Sequence, residues 1–203
     1  MFDDPNLPTH LERILNACSD TPSSDFDLNT ERPDARKLRA AAVMAPLILV
    51  NDEWHIILTK RPGTMKHHPG QIAFPGGKQD QSDDSLLDTA LRETHEEVGI
   101  KPNQIQILGQ LPAHETVTAF NVTPFVASVD PSAKLQKELY EVEEVFTVPF
   151  RFLMAVKNFQ VQSRVWFGAE RFYYAVPYGP YYIWGATARM LHALNTLWNS
   201  HEN

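Results

Sequence analysis

The run Arg92-Glu93-Thr94-His95-Glu96-Glu97-Val98-Gly99-Ile100 carries the strongest chemical signal in the chain. Glu93, Glu96 and Glu97 stand at i, i+3 and i+4, so on a helix they share one turn and one face. Like charges at that spacing repel by roughly 0.2–0.5 kcal/mol per exposed pair. A divalent cation among them would offset the repulsion, because hard cations take oxygen ligands and commonly carry phosphate groups. Such a cluster suits a ligand that carries phosphate, whose charge a bound cation would neutralise. A solvated acidic face would explain three glutamates standing alone. It explains less well the preceding Arg92, one turn before Glu96 and placed to orient it, the closing Gly99, and an upstream Gly76-Gly77 turn whose backbone can approach an ion or a phosphate closely.

A helix must present these residues. It opens at Asp83-Asp84-Ser85, all competent caps, with Asp88 three residues after Ser85, and closes at Gly99. Leu87, Ala90, Leu91, Thr94 and Val98 share its apolar face. The three glutamates are expected to point well away from that face, toward solvent or a cleft.

Strands are predicted over 41–50 and 54–59, joined by a turn at Asn51-Asp52-Glu53. A brief strand at 71–74 ends where Pro75-Gly76-Gly77 breaks the pattern, and further strands fall at 104–111, 116–129, 159–167 and 171–176. Helical spacing of Leu7, Leu11, Ile14 and Leu15 predicts a helix near 6–17; others fall near 150–156 and 185–198. The polar stretch 19–36, with Pro22 and Pro33, reads as a linker or long surface loop. Strands interleaved with few helices indicate an α/β (α+β) fold. The division expected is a helix and polar linker over 1–38 and a catalytic domain over 39–199.

Composition narrows the partners. A chain of 203 residues with 43% apolar and 21% charged residues suits one soluble domain with a modest appendage. A net charge of −7 argues against a general nucleic-acid binder, yet local Lys and Arg can still hold a small anion. Cys18 stands alone, which excludes an internal disulfide and a thiolate zinc site. Residues Met1 to Pro5 lack the basic and apolar regions of a signal peptide, and no apolar run is long enough to span a bilayer. The expectation is a cytoplasmic protein that engages neither nucleic acid nor membrane.

With Gly77 upstream, the glutamate segment resembles the Nudix box, the signature of enzymes that hydrolyse a diphosphate linked to another group. Its second half matches well, with Thr94 where a bulky apolar residue is usual. In the first half Arg92 comes one residue late, and the expected first acid is Asp83 or Asp84. By this resemblance Glu93 and Glu97 would be the main ligands of Mg2+ or Mn2+, with Glu96 a further ligand or a base, and the fold would be a mixed β-sheet sandwiched between α-helices. Before the box, Ile57-Leu58-Thr59-Lys60-Arg61, Lys66, Gly70 and Phe74-Pro75-Gly76-Gly77 resemble the motif of the coenzyme A diphosphatase branch. Ile57, Pro62 and Lys66 depart from it, and Lys66 loses the planar fork of an arginine. Segments 118–124, 141–149 and 183–188 extend the likeness over roughly residues 40–195.

The resemblance implies a coenzyme A-like nucleotide-diphosphate substrate, split to 3′,5′-ADP and 4′-phosphopantetheine or its acyl form. Arg61, Lys60 and Lys66, with Gly76 and Gly77, would hold its phosphates. Analogy also admits a homodimer. Alternatives are the same chemistry on ADP-ribose, NADH or dinucleoside polyphosphates, or a non-catalytic module that binds a nucleotide and regulates a partner. Glu141 and Glu144 are candidates for a further carboxylate; Tyr173, Tyr174 and Trp184 read better as core packing than as an adenine platform.

Overall fold

The computed structural model describes residues 6–18, 21–29, 36–65, 68–138, 140–166 and 168–202. In chain order the elements are α1 (Leu7–Asn16), β1 (Ser23–Ser24), β2 (Arg39–Val50), β3 (Glu53–Lys60), β4 (Ile72–Ala73), β5 (Gly76–Lys78) and α2 (Leu86–Val98). Then follow β6 (Ile105–Gln110), β7 (His114–Glu115), β8 (Phe120–Val129), β9 (Glu144–Pro149), α3 (Phe150–Met154), β10 (Gln160–Trp166), β11 (Ala169–Tyr178), β12 (Tyr181–Trp184) and α4 (Ala186–Glu202).

Strand β2 is the spine of a mixed sheet. It pairs in parallel with β8 along one flank, from Arg39↔Phe120 to Leu47↔Ser128. Its other flank is shared: β5 takes Ala41 to Val43, and β3 takes Leu47 to Val50, both antiparallel. Pro46 stands in the interval between them, where a residue without an N–H is tolerated. β3 also pairs with β4 and β9, while β6 and β7 pair with β8. The hairpin from β2 to β3 turns on Asn51 and Asp52, both at positive φ, as a tight right-twisted hairpin requires.

Helix α2 covers one face of this sheet, with Ala90 packed among Ala42, Met44, Phe125 and Ala127. The other face is covered by α1, α3 and α4. Leu7, Leu11, Ile14 and Leu15 of α1 share the main core with Phe150, Leu153, Leu191, Leu194 and Trp198. The fold is therefore a mixed sheet between helices, with a small antiparallel sheet, β10-β11-β12, beside α4. Among the described residues no helix is long and apolar enough to cross a membrane.

Several strands escaped the sequence pattern. β5 occupies the Gly-Gly turn, β9 lies within the acidic 141–149 segment, and β1 and β12 are short. The described part of the polar stretch 19–36, read as a linker or long surface loop, is fastened to the body of the fold. β1 pairs with β7, Phe26 is buried, and Ser24 accepts the Phe26 N–H. Fully buried His114 bridges Ser23 Oγ at 2.9 Å and Asp25 Oδ1 at 3.0 Å. Asp25 also accepts the Val117 N–H. Local hydrogen bonds from Ser and Asp do here what an apolar period does elsewhere.

Because Leu11 is fully buried in the core shared with α4, Leu11→Ala is expected to lower unfolding free energy by about 2–5 kcal/mol in urea titration. Glu12→Ala, one residue on and exposed, should stay within about 0.5 kcal/mol of the parent.

Candidate active site

Helix α2 begins and ends as its residues dictate. Ser85 Oγ accepts the Asp88 N–H at 3.1 Å and donates to Asp88 Oδ2 at 2.7 Å. At the far end Gly99 adopts φ 76° and returns its N–H to His95 O. The loop between β8 and β9 closes over that terminus: Gln136 N–H reaches Val98 O at 2.9 Å and Glu138 N–H reaches Glu97 O at 3.1 Å. Thr94, the unusual residue of the apolar stripe, is buried with its hydroxyl donating to Ala90 O.

The three glutamates do not share one environment: of the two settings expected for them, solvent and a cleft, Glu96 lies in the first and Glu93 and Glu97 are enclosed. The Glu96 side chain is 55% exposed and that of Glu93 14%. Glu97 is buried at 5%. The cause is β5. Its two glycines lie so close to α2 that a Cβ on Gly77 would collide with the Glu93 carboxyl group. A Cβ on Gly76 would come within 2.5 Å of Ala42 O and 2.6 Å of Val43 Cα. Glu97, three residues after buried Thr94, is thereby shut under the strand, where its Oε2 accepts the Gly76 N–H at 3.2 Å.

Burial sets the electrostatics. Desolvation pushes Glu97 up to about 8; the Gly76 N–H and the Arg61 charge pull the other way, while Glu93 and Glu141 add to the rise. Glu93 is also raised, again chiefly by desolvation, against the pull of Arg92. Glu141, itself exposed, thus acts electrically on both helix carboxylates from the loop that caps α2.

Arg92 is the clamp. It grips Asp83 with two bonds, Nε to Oδ1 at 2.9 Å and Nη2 to Oδ2 at 3.0 Å, while Nη1 reaches Glu93 Oε1 and Glu96 Oε2, both at 2.9 Å. This selects Asp83, not exposed Asp84, as the acid that stands where the first Glu of the box is usual. The Arg92 guanidinium holds the Asp83 carboxyl well below the usual carboxylate range. Asp83 in turn holds Arg92 firmly charged.

The phosphate-binding candidates separate. Arg61 leaves the end of β3 half-buried, with its backbone N–H bonded to Gln71 O at 3.0 Å. Its Nε is buried without a hydrogen-bond partner, and its charge reaches Glu97. Lys60 is instead tied to Glu143 by an ion pair of 2.6 Å, which raises its pKa, and Glu143 also accepts the Gly63 N–H. Lys66 and His67 lie outside the described residues. Glu144 accepts the Tyr181 hydroxyl at 2.5 Å and pushes that phenol up to about 12. The aromatics serve packing: Tyr173 meets Trp184 edge-on at 5.3 Å, and Tyr174 stacks on His192 at 4.2 Å. The Gly76–Glu97 bond has no signal in the sequence, whereas Glu141, a sequence candidate for a further carboxylate, acts on both Glu93 and Glu97.

The pattern of the NUDIX domain matches residues 38–168. Together with the mixed sheet and its glutamate helix, the match defines the class: the chain belongs to the Nudix family. Within it, the chain is similar to proteins named NudL, each described as an uncharacterized Nudix hydrolase. With that of Enterobacter sp. (strain 638) it is 38% identical over 164 residues, covering 79% of this chain and 83% of the relative. With that of Cronobacter sakazakii (strain ATCC BAA-894) it is 36% identical over 191 residues, covering 93% and 95%. The crystal structure of the MutT protein from Methanosarcina mazei Go1 superposes with a TM-score of 0.52 at 20% identity, covering 83% of this chain and all of that one, a likeness of fold.

Nudix hydrolases act on acid anhydrides and generally need a divalent cation such as Mg2+ or Mn2+. The donor chemistry here fits one: carboxylate oxygens only, two of them desolvated and mutually repelling, a charge surplus that a cation relieves. Among the described residues no three acidic, histidine or cysteine groups form a ready-made cage. Glu93 and Glu96 are held by Arg92 instead.

Burial of Glu97 makes the stability of the metal-free protein depend on pH. Its unfolded carboxyl loses a proton near the ordinary 4.5, the folded one only near 8, so the folded state binds more protons between these values. Stability should then fall as pH rises from about 4.5 to about 8 and level off beyond. In thermal melts with chelator, Glu97→Gln is expected to flatten that decline and melt above the parent at pH 8.5; a variant melting below the parent there would contradict the assignment.

Proposed function

We propose that this chain is a Mg2+- or Mn2+-dependent diphosphatase acting on coenzyme A or its derivatives, releasing 3′,5′-ADP and 4′-phosphopantetheine or its acyl form. The observation that carries the reading is the position of Arg61. The arginine of the Leu58-Thr59-Lys60-Arg61 motif follows β3 directly, its charge felt at Glu97 and its buried Nε without a hydrogen-bond partner among the described residues. A phosphate oxygen would complete it, and guanidinium suits that oxygen well.

In this reading Glu93, Glu97 and Glu96 would hold the cation, which when bound would supply charge neutralisation and an acidified water. The chain's own residues do the positioning. Gly76 N–H fixes the Glu97 carboxyl, and Arg92 fixes Glu93 and Glu96 while anchored on Asp83. Gly77, without a side chain, leaves the Glu93 carboxyl its place. Arg61 binds a substrate phosphate and draws the diphosphate toward the glutamates. Lys60 acts on the loop through Glu143 rather than on the phosphate. Water oxygen bonds to one phosphorus, the bridging P–O bond breaks, and the proton of the water passes to a carboxylate.

Three measurements test this. Glu97→Gln should abolish turnover, by at least about 100-fold in kcat, with an unchanged circular dichroism spectrum; near-parental activity would remove Glu97 from the machinery. Mass spectrometry of products formed from coenzyme A with Mg2+ in heavy-oxygen water should show 3′,5′-ADP and 4′-phosphopantetheine, one of them labelled. Parallel assays on ADP-ribose, NADH and dinucleoside polyphosphates check the substrate, and a higher kcat/KM on any of them would overturn coenzyme A. Tight nucleotide binding with no hydrolysis at all would favour a regulatory module.

A further inference from the structure

The small sheet ends on β10, Gln160–Trp166, and among the described residues no strand pairs with its side away from β11. Edge strands are usually kept from joining others by charged side chains, above all lysine, by proline, by a bulge or by brevity. β10 has a single such guard, Arg164. The strand runs seven residues in unbroken register with β11, and Val161 and Val165 are 55% and 70% exposed.

Its outward backbone groups can be read from the neighbouring strand. Phe172 gives its N–H to Asn29 Oδ1 at 2.9 Å and takes Asn29 Nδ2–H on its carbonyl at 3.1 Å, so neither group is engaged with β10. Ser163, directly opposite Phe172, is therefore a non-hydrogen-bonded pair, and the pairing alternates along the ladder. The N–H and C=O groups of Val161, Ser163 and Val165 thus face the open edge. That set is symmetric about Ser163.

We infer that β10 pairs antiparallel with β10 of a second copy about a two-fold axis at Ser163, joining the two small sheets into one. In that register Val161 lies opposite Val165 of the second copy in both directions, and Ser163 opposite itself. Every outward donor of the three residues then meets an outward acceptor. The exposed valines cover one another, and on the reverse face Arg164 meets Gln162, so no like charges oppose across the new ladder. An axis at Arg164 would bring arginine against arginine and turn inward-facing groups to the seam. The interface is isologous and closed, so it stops at two copies. It lies apart from the glutamate helix and does not depend on the proposed hydrolysis.

Sedimentation equilibrium at about 100 μM should show a dimer. Val161→Lys with Val165→Lys sets lysine against lysine across the axis and should raise the dissociation constant at least about tenfold. Val161→Lys with Val165→Glu sets lysine against glutamate and should keep the dimer. A monomeric parent, a dimer indifferent to the lysine pair, or a monomeric Lys/Glu variant would each overturn the proposal. Both variants change exposed positions, and a parental circular dichroism spectrum confirms their fold. Independently, Ser163→Cys with Cys18→Ser should oxidise to a linked dimer, since paired Cα atoms at the axis stand about 5.5 Å apart; failure to link would also overturn it.

Discussion

Everything at the candidate site depends on how closely β5 approaches α2. Side chains at positions 76 and 77 would strike β2 and the Glu93 carboxyl, so the strand is two glycines wide where it passes. That closeness removes water from Glu97 and Glu93. It also supplies Glu97 with a backbone N–H in return. A carboxylate desolvated and left with one neutral donor stays undercompensated, and this deficit is what a cation or a proton answers.

The cationic side chains divide the remaining work. Arg92 meets three acids with one planar group, something an ammonium on a flexible stem would do less well. Lys60 is already neutralised by Glu143, and so braces the loop that follows β3. Arg61 alone among the described motif cations keeps a buried donor uncommitted. The helix terminus is likewise shared. The loop that satisfies the last carbonyls of α2 also carries Glu141 toward the same carboxylates, so capping and charge placement are one event.

Much of this was legible in residues alone. The caps of α2 are local chemistry, and Ser85, Asp88 and Gly99 do what their types predict. Long apolar runs declared β2, β3 and β8, and the spacing of Leu7, Leu11, Ile14 and Leu15 declared α1. What failed was structure defined by contact instead of pattern. β5 carries two glycines and so no side-chain alternation, and its membership in the sheet comes from pairing with Ala41 to Val43. Helical geometry placed Glu97 on the polar side of α2, but a partner strand, invisible in helical geometry, roofs it over. The segment 21–29 lacks an apolar period because His114, Asp25 and Ser23 anchor it by polar bonds.

The extra residue ahead of α2 is absorbed without disturbing the helix. Asp83 reaches back nine positions' worth of chain to the fork of Arg92, steadied by the Thr89 hydroxyl and the Asp80 N–H. Between the two partners only Asp84 and the cap Ser85 lie outside helix α2, so the slack that admits the contact sits ahead of the helix. What segment 79–84 must deliver is an acid at the guanidinium, and the turn held by Asp80 and Asp83 brings it there before the first helical residue.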